Sequence, residues 1–277
     1  MAHEPNPSRD ALHVMPDQHV PGAFVVHGGG VDHSFVDLDD PTRVEFPYME
    51  RITELFDAWA PRGQRLRVIH VGGAGMTLAR YLAHTRPSSA QIVLEPDAEL
   101  TAEVRREIPL PRHSGIKVRP VDGRTGLRAM PDDYADIIVV DAFRQLSVPG
   151  ELVTVQAAGE LARVLRPDGV VAMNVTDHVP FGWTHRVLAG FAGLLPELAV
   201  NSETATLRGR RAGNLVLLAS RRELPRDELM HSVDTVVFPS RWIFGAELDS
   251  WRGRAEPFDD AETHDSPVPS RSRTHFE

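Results

Sequence analysis

The stretch from Val68 to Leu82, "VIHVGGAGMTLARYL", decides how the rest of the chain is read. An apolar run breaks at Gly72, Gly73 and Gly75, and the residues after it follow a helical spacing. A strand that ends in glycines and restarts as a helix usually lets something approach the backbone at the turn. A dinucleotide, a phosphate and another nucleoside are the classes to weigh. The dinucleotide fingerprint needs G-x-G-x-x-G, and counting from Gly73 its last position holds Leu78. No Gly-Lys-Ser/Thr follows, so the P-loop reading fails as well.

Working outward, strands and helices alternate. "RLRVIHV", "AQIVLEP", "IKVRPVDG", "ADIIVVDAF" and "VVAMNV" read as strands. Between them, "MTLARYLAHT", "DAELTAEVRREI", "RTGLRAM" and "GELVTVQAAGELARVL" read as helices. The apolar runs of the strands are continuous rather than alternating, as in a parallel sheet covered on both faces. The fold class is therefore α/β, with a doubly wound sheet. After the helix "GWTHRVLAGFAGLL", the segments "ELAVNSETATL" and "NLVLLAS" are joined by the polar "RGRRAG" and read as an antiparallel edge pair.

Upstream, "GAFVVHGGGVDHSFVDLDDP" reads as two short strands about the turn Gly28–Gly30. In "FPYMERITELFDAW", Pro47 opens a helix on which Tyr48, Ile52, Leu55, Phe56 and Trp59 recur at helical spacing. The expected division is a disordered N-terminus over 1–21, a small β extension over 22–46 and the main domain over 47–250. A mobile tail rich in Pro, Ser and Asp is expected over 251–277.

Composition removes several function classes. A formal net charge of -9 gives no footprint for nucleic acid or an acidic membrane. Cysteine is absent, which excludes disulfides, thiolate metal sites and Cys nucleophiles. No apolar run approaches the length of a membrane span, and "MAHEPNPSRD" lacks a signal-peptide core, so a cytoplasmic location is expected. The 13 histidines form no HExxH motif and no metal site is expected. His70, inside a strand, reads as a satisfied core histidine.

The chemistry lies at the strand ends, because ligands of open α/β sheets bind outside the carboxyl ends of the strands. The second strand ends at Glu95, which can accept both hydroxyls of a ribose; Asp97 reads as a helix N-cap instead. The third ends in Asp122-Gly123, an acid for an adenine amino group beside a glycine against which the ring can lie. The fourth ends at Asp141, behind "IIVV". Each acid alone is also compatible with a solvated turn; the series of four strand ends is far more specific.

"VIHVGGAG", "IVLEPD", "VDGRTGL" and "ADIIVVDAF", in this order, resemble the spermidine synthase (polyamine aminopropyltransferase) family, especially its actinobacterial spermidine-synthase-like branch. "VVHGGGVDHSFVDLDDP" and "PYMERI" extend the resemblance over residues 22–220. It implies a Rossmann-like sheet of class I methyltransferase type with a small N-terminal β extension. It also implies decarboxylated S-adenosylmethionine as cofactor and a small-molecule amine acceptor, and it allows a homodimer. By position, Gly72, Gly73 and Gly75 form the cofactor loop, Glu95 binds ribose, and Asp122 with Gly123 binds adenine. Asp141 takes a proton from the attacking amine and Tyr48 lies beside the acceptor.

Departures from the family pattern concern the acceptor. Gly75 stands where the family has the aspartate that holds the cofactor's ammonium, and Arg144 replaces the second acid of the fourth strand end. His33 replaces a glutamine, and "LRGRRAG" replaces the acceptor loop. Arg144 is expected to pair with Asp141 and lower its pKa. With these changes, diamine specificity does not follow from the resemblance, and the two forms of the cofactor are expected to bind comparably. Methyl transfer from S-adenosylmethionine to a small, anionic acceptor is the rival reading, and a non-catalytic relative is the other.

Overall fold

The computed structural model describes residues 11–233 and 239–268. A small antiparallel sheet, β1 (His13–Pro16), β2 (Ala23–Gly28) and β3 (Val31–Asp37), precedes helix α1 (Pro47–Trp59). The main sheet then begins with β4 (Arg67–Val71), α2 (Thr77–Thr85), β5 (Ala90–Leu94), α3 (Ala98–Glu107), β6 (Ile116–Arg119), α4 (Gly123–Arg128) and β7 (Ala135–Val140). It continues through α5 (Val155–Val164), β8 (Leu165–Asp177), α6 (Gly182–Ala192), β9 (Glu197–Glu203), α7 (Thr204–Leu207) and β10 (Gly213–Ser220). Helix α8 (Arg226–Val233), strand β11 (Ser240–Phe244) and helix α9 (Gly245–Arg252) follow.

The strand order is β11-β9-β10-β8-β7-β4-β5-β6. Strands β6, β5, β4, β7 and β8 run parallel, and β10 runs antiparallel to both β8 and β9. Alternate residues of each strand serve different cores. Ile69, Val71, Ile138, Val140 and Val171 pack under α5 and α6, whereas Val68, Ile137, Val139 and Ala172 pack under α1. Each core strand is thus apolar on both faces, which is why its sequence shows no alternation. The strand order reverses direction between β4 and β7, and a ligand crevice is expected at that switch point. Among the described residues no helix is long and apolar enough to cross a membrane.

Three expectations about the extremities are corrected. Residues 13–16, expected within a disordered terminus, form β1 on β2, and Glu103 of α3 accepts the Val14 N–H at 2.9 Å. An edge strand tolerates Pro16 because its outer side needs no donor. The pair β9 and β10 is not the edge, since β11 adds to β9 through Ser240–Phe244. Residues 253–268, expected as mobile tail, run back across α5 and α6 and bury Phe258 completely. Residues 1–10 and 269–277 lie outside the described residues.

Candidate functional site

A cavity of about 330 Å³ opens at the carboxyl ends of β4, β5 and β7, a volume suited to a small ligand. Its wall includes Gly72, Gly73, Ala74, Glu95, Asp122, Gly123, Asp141 and Tyr48. Residues far apart in sequence meet there because all but Tyr48, on α1, follow the ends of neighbouring strands. The turn itself is fixed by hydrogen bonds from Gly72 N to Leu94 O (2.9 Å) and from Asp141 N to Val71 O (2.8 Å). At Gly72, φ is +92° and a Cβ would lie 2.2 Å from the Asp141 carbonyl oxygen, so only glycine fits. Ala74 and Met76 hold φ of 38° and 61°, left-handed values that non-glycine residues seldom take.

Two glycines do something other than expected. Gly75 is not on the cavity wall: its N–H donates to Ser34 Oγ at 3.0 Å, and a Cβ would meet Ser34 Cβ at 2.9 Å. It lets the glycine loop dock on β3, and Ala74 occupies the ligand-facing place. Gly123 does line the cavity, yet its missing Cβ is filled by Val71 and Leu152, at 2.4 and 3.0 Å. Its role is close packing of α4 on β4 rather than a bed for a ring.

Glu95 is half-buried. Its Oε2 accepts from Gly73 N (3.0 Å) and Ala74 N (3.3 Å), and its Oε1 from Asp97 N (3.0 Å). It braces the loop and still faces the crevice. Asp122 caps α4 through Oδ1, which accepts from Thr125 N at 2.8 Å. These backbone donors hold its carboxyl below the ordinary pKa, so an anion stands at the rim. His33 lies on the same wall, its Nε2 3.3 Å from Gly28 O, and burial lowers its pKa.

Asp141 lines the crevice wall at the end of β7. Tyr48 Oη donates to Asp141 Oδ2 at 3.1 Å, and Asn174 Nδ2 donates to Oδ1 at 2.9 Å. Burial raises the Asp141 pKa and outweighs these two bonds, which favour the anion. Burial and the neighbouring carboxylate push the Tyr48 phenol well above its ordinary value, so it remains a donor. The expected pairing of Arg144 with Asp141 does not occur. Arg144 is exposed and pairs instead with Glu151 and, at 3.4 Å, with Asp265 of the returning tail. The Asp141 pKa is accordingly raised, not lowered.

The arginines of "LRGRRAG" are absent from the cavity wall, and Arg211 pairs with Glu203. The charged residues that line it are Glu95, Asp97, Asp122, Asp141 and Glu151 against Arg144. The crevice is net acidic.

With this geometry in place, comparison with solved structures is decisive about the fold. A probable spermidine synthase from Corynebacterium glutamicum ATCC 13032 superposes with a TM-score of 0.83 and 26% identity, covering 90% of this chain and 92% of that one. The structural likeness is to spermidine synthases. A spermidine synthase solved with the transition-state analogue AdoDATO gives a TM-score of 0.53 at 14% identity, covering 90% and 77%. Human methyltransferase-like protein 13 in complex with SAH gives 0.53 at 19%, covering 77% and 95%, and bears out the methyltransferase-type sheet. No protein-family model and no curated protein sequence matches the chain.

One residue of the site went unread in the sequence, and a second was read as part of the core. Asn174 lies inside the apolar run "VVAMNV", and a lone Asn in a continuous buried strand was the available signal. It is 1% exposed, and its Oδ1 has no hydrogen-bond partner among the described residues. His70, expected to be satisfied, is bonded through one nitrogen only. For Glu95, the geometry leads to a prediction. If the crevice takes a nucleoside, Glu95→Ala should weaken methylthioadenosine binding by about 1.5–3 kcal/mol and also lower the melting temperature without ligand, since the loop loses its brace. Calorimetry checks the first; unchanged affinity with a lowered melting point would reduce Glu95 to a loop brace.

Proposed function

We propose that the chain is a transferase that binds decarboxylated S-adenosylmethionine and moves its aminopropyl group to a small amine. The single observation that carries this reading is the acidic crevice with Asp141 held on its wall between Tyr48 and Asn174. The likeness to the probable spermidine synthase over nine-tenths of both chains supports it. When bound, the nucleoside supplies a carbon activated by a sulfonium. The acceptor nitrogen bonds to that carbon as the carbon–sulfur bond breaks, and methylthioadenosine departs.

The chain's own residues do the rest. In this reading Glu95 holds the ribose and Asp122 the base, and the acidic wall attracts cationic ligands. Asp141, made more basic by burial, takes the proton of the attacking amine, and Tyr48 orients the carboxylate by donating to Oδ2. Arg144, neutralised by Glu151 and Asp265, does not oppose a diamine in the way the sequence alone suggested.

Methyl transfer remains the second reading, motivated by the absence of an acid at Ala74, a residue of the glycine loop that lines the cavity. The two cofactor forms differ by one carboxylate, and a net acidic wall opposes the form that keeps it. Calorimetry should show decarboxylated S-adenosylmethionine binding at least about fivefold tighter, the effect of roughly 1 kcal/mol of like-charge repulsion. Mass spectrometry after incubation with 1,4-diaminobutane should show the aminopropylated product. Binding of neither form would overturn any transferase reading, and methylated product from intact S-adenosylmethionine would replace aminopropyl transfer.

A further inference from the structure

We propose that His70 receives the far end of the acceptor, its Nδ1 accepting a hydrogen bond from an N–H or O–H group that lies deeper in the crevice than the reacting nitrogen. This inference rests on the transferase reading above and assigns the acceptor's second polar group.

The cavity does not stop at Asp141. Met49, Leu78, Ala79, Val93 and Val139 also line it, so it descends along the face of the sheet covered by α1 and α2. His70 shares that wall and is 4% exposed. It lies directly opposite Val139 in the register of β4 and β7, two residues before Asp141 on the same face. Two residues of strand place it about 7 Å below Asp141. A short aliphatic diamine or amino alcohol bridges such a gap.

The protonation of the ring follows from its neighbours. The Ala79 carbonyl can only accept, so the atom of Gln91 bonded to it at 3.0 Å is the amide nitrogen. Gln91 Oε1 therefore faces His70 Nε2, 3.0 Å away, and that nitrogen must carry the hydrogen. Nδ1 is left with a lone pair and no partner among the described residues. Burial pushes the ring's pKa down to about 4, so the lone pair persists at neutral pH. A buried strand histidine with its tautomer fixed from behind and its free acceptor toward a cavity is a recognition device. An apolar residue would fill the same place at lower cost in desolvation.

The test uses the intact protein labelled with 15N-histidine and observed by NMR, with and without saturating methylthioadenosine. Addition of 1,4-diaminobutane should move the unprotonated Nδ1 resonance of His70 in the direction of hydrogen-bond acceptance. Calorimetry should show 1,4-diaminobutane binding about five- to tenfold tighter than n-butylamine, which lacks the second donor. His70→Leu should erase that preference, and His70→Gln, which keeps an acceptor, should retain part of it. The NMR readout on the parent protein stands even if the Leu variant fails to fold. A His70 resonance unmoved while the diamine binds would overturn the proposal. So would a shift produced by methylthioadenosine alone, or a preference unchanged in His70→Leu. Loss of nucleoside binding with a preserved diamine response would instead refute the transferase reading and leave the His70 contact standing.

Discussion

Asp141→Asn is expected to slow transfer by about 10²–10⁴-fold, the range for a positioned acid–base group, while methylthioadenosine affinity stays within a few-fold. The same substitution should stabilise the protein. Burial raises the Asp141 pKa, so its charged form is less welcome in the folded chain than in the unfolded one. The stability that the protonated group contributes is complete below its ordinary value of 3.8 and is lost as pH rises through the folded pKa. Asn carries no charge to desolvate; its oxygen can accept from Tyr48, and its amide nitrogen can donate to the otherwise unpartnered Asn174 Oδ1 once that amide turns over. At neutral pH the variant should therefore melt higher than the parent, by about 2–4 °C for each kcal/mol relieved. Well below pH 3.8 the two should melt together. Melting curves across pH, with single-turnover rates, make the check. Retained turnover, or a variant less stable at neutral pH, would remove Asp141 from the role of buried base. A charge kept at a stability cost and needed for rate is how a functional carboxylate differs from a structural one.

The central sheet was legible because two-sided burial writes continuous apolar runs, and those of β4, β5 and β7 are each followed by a glycine or an acid at the crevice. Gly72, Glu95, Asp122 and Asp141 could be placed by counting strand ends alone. What could not be placed depends on partners remote in sequence. Arg144 follows Asp141 by three residues, so local spacing suggested a pair; Asp265, more than a hundred residues on, and Glu151 take it instead. Gly75 matched a family position, but whether position 75 faces the ligand is decided by Ser34 docking from the β extension. Asn174 and His70 were hidden for a related reason. Within an apolar strand, a polar residue looks satisfied or tolerated, and only the neighbouring strands reveal what it touches. The β11 strand, "SRWIF", is short and has no alternation of its own; its pairing to β9 defines it.

Phe258→Ala should destabilise the protein by about 3–5 kcal/mol, although the residue sits in a stretch whose composition reads as linker. Asp, Glu and Pro recur through residues 253–268, which is the signature of a chain unable to bury apolar surface. Here the polar residues are the means of attachment. Phe258 is fully buried, its ring 5.9 Å from that of Trp183 and 4.0 Å below the Arg186 guanidinium, while its carbonyl accepts from Val155 N at 2.8 Å. Asp260 accepts from Thr154 Oγ1 at 2.6 Å and pairs with Arg124 at 2.9 Å. The Trp183 indole donates to His264 O at 3.1 Å, and Asp265 accepts from Gly150 N at 2.9 Å. Ser266 exchanges bonds with Val148 in both directions, at 2.9 and 3.0 Å. One large aromatic anchor positions these directional contacts, and they in turn hold residues 148–154, the segment that carries Glu151 onto the cavity wall. Loss of the anchor leaves a cavity next to α6 and loosens the clamp on that segment, so the effect should reach the site as well as the melting point. Denaturant unfolding should show the midpoint falling at constant slope. Methylthioadenosine affinity should fall less than stability does, because Glu95 and Asp122 are held by other elements. A variant within about 1 kcal/mol of the parent would mean that residues 253–268 are attached through their polar contacts alone.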